Sequence, residues 1–295
     1  MFSYRAPLGF KQSSALVVMM RLVRKIMNNT QLGGTALNAQ SVSQIPAVSQ
    51  GSKVASKPVV SYSGTQQNEL LAALPRHDLE TLFEHLELVA LPFGKELFEY
   101  GSKLDNVYFP TTAIVSLLYV MEDGATTEIA VVGHEGVVGV SLFMGERAMC
   151  SAVVQSAGYG YRLKTQYLRD AFNMGGALPQ LLMRYTNALF AQMAQNAVGG
   201  RHSSIEQKLC RWLLDRLDRS PSNELKVTQE LISIMLGVRR ESITAAAGKL
   251  QDDGLITYRR GNITVIDRQG LEEYAGECYK VAKTEYDRLL MDVAR

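Results

Sequence analysis

The fold is decided by residues 228–265, TQELISIMLGVRRESITAAAGKLQDDGLITYRRGNITV. Thr228 is a helix-capping residue and Glu230 sits in the first turn, where the helix dipole favours an acid. The helix should run through Ile232 to Leu236 and end at Gly237, where a tight turn needs a left-handed residue. A second helix is expected from about Arg239 to Asp252, with Ile243, Ala246, Ala247 and Leu250 inward. Ser233, small and four residues before Gly237, lets the second helix cross closely. Apolar residues at 232, 236, 238, 243 and 246 meet the needs of two crossing helices. After Gly254, the β-prone runs Leu255–Tyr258 and Ile263–Ile266 flank a turn at Arg260-Gly261-Asn262 and read as a hairpin. Helix, turn, helix and hairpin make a winged helix-turn-helix.

In that architecture the start of the second helix enters the major groove of DNA. Arg239, Arg240 and Glu241 stand there. Arginine can donate to guanine O6 and N7, and glutamate can accept from cytosine N4. Thr244, one turn on from Arg240, can touch a base edge or a thymine methyl. Thr228 and Gln229 lie at a helix N-terminus suited to phosphate, and Arg259 and Arg260 on the wing add phosphate contacts.

Outward from this stretch, Ser203 or Ser204 can cap a helix over Ile205–Leu217, ended by Ser220-Pro221-Ser222-Asn223. Gly199-Gly200 reads as a hinge. Before it, Pro179 suits the first turn of a long helix. Leu182, Leu189 and Asn196 recur every seven residues, with Tyr185 and Gln192 between them and Leu181 and Met193 alongside. This is the seam expected of a dimerisation helix.

Residues 88–163 change to short strands parted by turn residues: Leu88–Leu91, Asn106–Phe109, Ile114–Met121, Thr126–Val132, Ala152–Ser156 and Tyr159–Leu163. That spacing suggests a small antiparallel barrel or jelly roll. Leu70, Leu71, Leu74, Leu79, Leu82, Phe83 and Leu86 predict helix after Asn68, divided by Pro75. The fold class is therefore α+β. A disordered tail is expected over residues 1–67, rich in Ser, Gln and Gly. A sensor domain follows over 68–175, a dimerisation helix over 176–200, and the winged helix with a C-terminal helix over 201–295.

Charge is uneven. Residues 1–68 carry seven Lys or Arg and no acid; 69–200 carry a net −6 and 201–270 a net +3. A basic block after an acidic domain suits a polyanion but is more often a solvated surface. Three cysteines about sixty residues apart and four histidines show no metal-ligand spacing. No Ser-His-Asp order, phosphate loop, zinc motif or GxSxG occurs, so neither an enzyme nor a cofactor is expected. The longest early apolar run, Ala15–Met20, is too short for a membrane span. A cytoplasmic, reduced protein is expected.

The chain resembles the Crp/Fnr family of bacterial regulators. The resemblance rests on Thr228-Gln229-Glu230-Leu231, Met235–Ser242, Leu250-Gln251, Gly254-Leu255-Ile256 and Arg260–Val265. It extends to Val107-Tyr108-Phe109-Pro110, the glycine-rich Val131–Gly139 and Arg211-Trp212-Leu213-Leu214, and covers roughly residues 68–290. It implies a cyclic-nucleotide-binding-like barrel, a homodimer on a near-palindromic DNA site, and contact with RNA polymerase. Arg240 and Glu241 match the family's base-reading pair, whereas a later arginine of some members is Ala245 here. The family's cyclic-nucleotide binders use Gly-Glu for the ribose and Arg before Ser/Ala for the phosphate. Here Gly139 precedes Val140, and Cys150 precedes Ser151-Ala152, with Arg147 three residues away. An unidentified effector is the first expectation; a receptor that needs cyclic AMP or GMP is the alternative.

Overall fold

The computed structural model describes residues 61–122, 125–143 and 147–291. Most of the expected tail lies outside these residues. At its end, Tyr62–Thr65 forms a helical turn, α1, and the Tyr62 ring stacks on Phe83 at 4.2 Å. Helix α2 (Glu69–Ala72) is capped by Asn68, whose Oδ1 accepts the Leu71 N–H at 3.1 Å. The Asn68 amide donates to the carbonyls of Pro110 (2.8 Å) and Gly136 (2.9 Å), tying this entry helix to the sheet and the glycine-rich loop. Pro75 precedes α3 (Arg76–Phe83), as the sequence requires.

Seven strands follow: β1 (Glu87–Leu91), β2 (Glu96–Phe98), β3 (Asn106–Pro110), β4 (Ile114–Val120), β5 (Thr126–Val132), β6 (Ser151–Ser156) and β7 (Gly158–Lys164). They form two antiparallel sheets, ordered β1-β7-β3 and β2-β6-β4-β5. One apolar core takes Leu91, Phe109 and Leu163 from the first sheet and Val115, Val132 and Val154 from the second. The jelly-roll reading holds, as two sheets rather than a closed barrel. Strand β2, three residues without alternation, was not expected.

Helix α4 (Thr165–Met174) ends at Gly175-Gly176, both at positive φ. The long helix α5 (Ala177–His202) then runs without interruption through Gly199-Gly200. The expected hinge is thus a continuous helix. Gly199 is there for space: a Cβ would lie 1.9 Å from Nη1 of the buried Arg211.

The seam read from the seven-residue repeat is also corrected. Leu182, Tyr185, Leu189 and Gln192 are buried within their own protomer. Gln192 Oε1 accepts the Val131 N–H at 3.2 Å, and Asn196 Nδ2 donates to the Ile129 carbonyl at 3.0 Å. The repeat is real, but it serves β5. One residue round the helix, Met183, Asn187, Phe190, Ala194 and Val198 form an exposed stripe, with Met183 58% and Phe190 53% exposed.

Ser204 forms a full capping box with Gln207 on α6 (Ile205–Leu217). Strand β8 (Glu224–Lys226) precedes α7 (Gln229–Leu236) and α8 (Arg240–Asp252). Strands β9 (Ile256–Arg259) and β10 (Asn262–Val265) join β8 in the order β8-β10-β9. The chain continues with α9 (Arg268–Ala275) and α10 (Glu277–Met291). Helix α10 turns back onto α5, with Leu289 in the sensor core and the Tyr286 ring 6.5 Å from that of Tyr185.

Two buried ion pairs lock α6 and the turn after it to β5 and the glycine-rich loop that follows it. Arg216 pairs with Glu128 of β5, which also accepts from Ser116, while the Arg216 guanidinium lies 3.6 Å over the Trp212 ring. Arg219 Nε donates to Glu135 at 2.7 Å, and its Nη1 to the Asp215 carbonyl at 2.6 Å. Gly133 makes room, since a Cβ there would meet Arg219 Cγ at 2.8 Å. Burial opposes the Arg219 charge, but Glu135, Tyr286 and Asp215 together outweigh it and hold the guanidinium protonated. Burial lifts the neighbouring Asp215 carboxyl to about 6.

Removing one member of a buried pair leaves an uncompensated charge. Arg216→Ala is expected to cost about 3–5 kcal/mol in chemical denaturation. Arg76→Ala, which breaks the exposed Arg76–Glu80 pair, should cost less than about 1 kcal/mol. Equal losses for the two variants would contradict the assignment.

Candidate nucleic-acid interface

The helix-turn-helix is built as its residues dictate. Thr228 Oγ1 caps α7 by accepting the Leu231 N–H at 3.2 Å. Gly237 adopts φ +63, ψ +36, and the Val238 N–H returns to the Ser233 carbonyl at 3.0 Å. Ser233 is 5% exposed, and its hydroxyl donates to the Glu230 carbonyl at 2.7 Å, so a small polar residue fits the crossing without an orphaned group. Ile243, Ala246, Ala247 and Leu250 bury the inner face of α8. The turn leans on the sensor: a Cβ at Gly237 would stand 3.2 Å from Thr127 Oγ1 of β5.

The outer face of α8 carries Arg240, Glu241, Thr244, Ala245 and Gly248, all exposed, and Arg239 is exposed at its N-cap. Arg240 Nε lies 3.9 Å from Glu230 Oε2, with 64% of the arginine side chain open to solvent. A pair that exposed contributes well under about 1 kcal/mol and leaves the guanidinium available. The Thr244 hydroxyl donates to Gln229 Oε1 at 2.8 Å. That bond joins the two helices through the Gln229 side-chain oxygen.

The wing turn consists of Arg260 and Gly261 alone, at φ +49 and +79, between the paired Arg259 and Asn262. This two-residue, doubly left-handed turn matches the strand twist and usually carries Asn-Gly or Asp-Gly. Asn262, expected in the turn, is the first residue of β10. Arg259 and Arg260 are both exposed.

Every expected DNA-contacting residue therefore lies on one connected surface. Gln229 touches Thr244, and the Gly261 carbonyl accepts the Val227 N–H at 2.9 Å, bringing the wing beside Thr228. One expectation changes. The Gln229 N–H already donates to the Tyr258 hydroxyl at 3.1 Å, so that amide is not free for phosphate. Tyr258 was not singled out in the sequence, because a half-buried strand tyrosine gives no signal of its own. The basic block is also smaller than its charge count suggests: Arg211, Arg216 and Arg219 are buried.

Residues 207–274 match the Crp-like helix-turn-helix domain. The chain therefore carries a Crp-like helix-turn-helix DNA-binding domain and is similar to Crp/Fnr-type transcription regulators. It is 25% identical over 217 residues to the global nitrogen regulator of Synechococcus elongatus, covering 67% of this chain and 96% of that protein. Solved structures share the fold. A putative Crp/Fnr-family regulator from Eubacterium rectale superposes with TM-score 0.57 at 16% identity, covering 72% of this chain and all of that one. FixK2 from Bradyrhizobium japonicum gives 0.56 at 16% identity, covering 65% and 98%. The C-terminal helix α10 lies beyond the matched domain.

In the two-sheet domain, Val140 and Cys150, which the resemblance sets against the ribose and phosphate contacts of cyclic-nucleotide binders, are packed into the core. Val140 is 7% and Cys150 9% exposed, and burial pushes the Cys150 thiol up to about 11. Arg147 is engaged elsewhere, donating to the Gly101 carbonyl at 2.7 Å. No group of metal-binding side chains and no helix long and apolar enough to cross a membrane occurs among the described residues.

An arginine held at positive φ carries strain of roughly 1–3 kcal/mol. Arg260→Asn places a residue at home there, and is expected to raise the denaturation midpoint. An unchanged or lowered midpoint would show that the turn is not strained.

Proposed function

We propose that the chain acts as a cytoplasmic, non-enzymatic homodimer that reads a near-palindromic DNA site and needs no cyclic nucleotide to do so. The observation that carries this reading is the intact, exposed reading surface of α8 beside a sensor whose nucleotide-contacting positions are apolar. Losing a charge-assisted phosphate contact and a ribose carboxylate removes the interactions that cyclic AMP or GMP would need.

The dimer uses the exposed stripe of α5. Met183 and Phe190 are seven residues apart, with Asn187 between them and Ala194 four residues further on, the spacing of a helix–helix seam. A second copy of the chain is the occupant that fits a stripe with its own repeat. The two α8 helices would then enter successive major grooves about 34 Å apart. Arg240 and Glu241 read base edges, with the Thr244 methyl turned toward DNA and Arg239 at the groove edge. Thr228, the Gln229 side-chain carboxamide, Arg259 and Arg260 hold the backbone. A surface of the dimer meets RNA polymerase, as befits a regulator of this type.

The roles separate by substitution. Arg240→Ala should cost roughly 1–3 kcal/mol on the specific site and relax the choice at one base pair. Arg260→Ala should weaken specific and random duplexes alike and reduce the salt slope by about one. Titrations of both variants against both duplexes decide the matter. Parallel losses for the two variants would refute the division.

A further inference from the structure

The ladder between β9 and β10 fixes the wing internally, but not the angle at which it lies on the two helices. Four hydrogen bonds hold that angle. One is the Val227 N–H to the Gly261 carbonyl, at 2.9 Å. The other three belong to Tyr258. Its hydroxyl accepts the Gln229 N–H at 3.1 Å and donates to the Val227 carbonyl at 3.5 Å. Its own N–H donates to Gln251 Oε1, on the last turn of α8, at 2.9 Å. One residue therefore bonds to the first turn of α7 and the last turn of α8, two positions before Arg260.

The phenol is chemically suited to this. The first N–H groups of a helix have no intrahelical partner and need an acceptor. A hydroxyl can accept from Gln229 and donate to Val227 at once, which neither a phenyl ring nor a carboxylate can do. Burial pushes the Tyr258 phenol above its ordinary range, so it stays protonated at neutral pH.

We infer that Tyr258 is a positioning residue for DNA binding, holding the wing so that Arg259 and Arg260 meet the same stretch of phosphates as the Gln229 side-chain carboxamide. This rests on the reading that the wing arginines hold phosphate. Tyr258 touches no base, so it acts on affinity and salt dependence and leaves sequence preference alone.

The test is a set of salt-series titrations of the full chain on the specific site and on random duplex. The variants are Tyr258→Phe, Arg260→Ala and the double variant, with melting followed in parallel. Tyr258→Phe should weaken both duplexes by a similar factor of about five to ten, the worth of one hydrogen bond. It should lower the salt slope, leave base preference unchanged and add little in the Arg260→Ala background. Gln251→Ala, which frees the Tyr258 backbone without touching the ring, should give the same pattern at a smaller amplitude. Full affinity and slope in Tyr258→Phe, with Arg260→Ala still impaired, would overturn the inference, as would losses that multiply in the double variant. If Arg260→Ala itself leaves affinity and slope intact, the phosphate reading of the wing fails, and the inference with it.

Discussion

Two buried arginines, Arg216 near the end of α6 and Arg219 in the turn after it, organise the relation between the two-sheet domain and the winged helix. Arg216 reaches Glu128 on β5, and Arg219 reaches Glu135 at the glycine-rich loop. Buried ion pairs add little stability over apolar packing, but they tolerate few alternative geometries, because a half-broken pair strands a charge. Their effect here is to specify which face of the winged helix meets the sensor. Helix α7 and the Gly237 turn then rest against β5, and the outer face of α8 is left to solvent.

Strand β5 is thereby a shared structural member. On one side Gln192 and Asn196 of α5 bond to its backbone; at Glu128 it holds α6; at Thr127 it touches the turn. Helix α10 closes the arrangement from outside, with the Arg219 guanidinium 5.4 Å over the Tyr286 ring. A change in the sensor core would have to move β5 against all of these contacts to reach α8. Val140 and Cys150 are packed into the core of the two-sheet domain.

The DNA-binding half was legible because its signals are local. The caps at Ser204 and Thr228, the left-handed Gly237 and the paired runs of the wing each follow from a few neighbouring residues. The misreadings were questions of which surface faces which, and periodicity does not answer those. Helix α5 offers two seven-residue series, 182/189/196 and 183/190, and only packing shows that the first faces its own protomer, with Asn196 bonded to β5. Gly199-Gly200 resembles a hinge until Arg211 is seen in the space a side chain would fill. The basic block counted arginines that are spent inside the protein. Strands β2 and β8 are three residues each, too short for alternation to register. Tyr258 depends on a hydrogen bond to a residue 29 positions away, which no spacing rule anticipates.

The most direct measurement is selection of bound sequences from random duplex DNA by the purified full chain with no nucleotide added. The account predicts enrichment of a two-fold-symmetric motif with half-sites about one helical turn apart, 10–10.5 base pairs centre to centre. Absence of enrichment that is restored by cyclic AMP or cyclic GMP would contradict it.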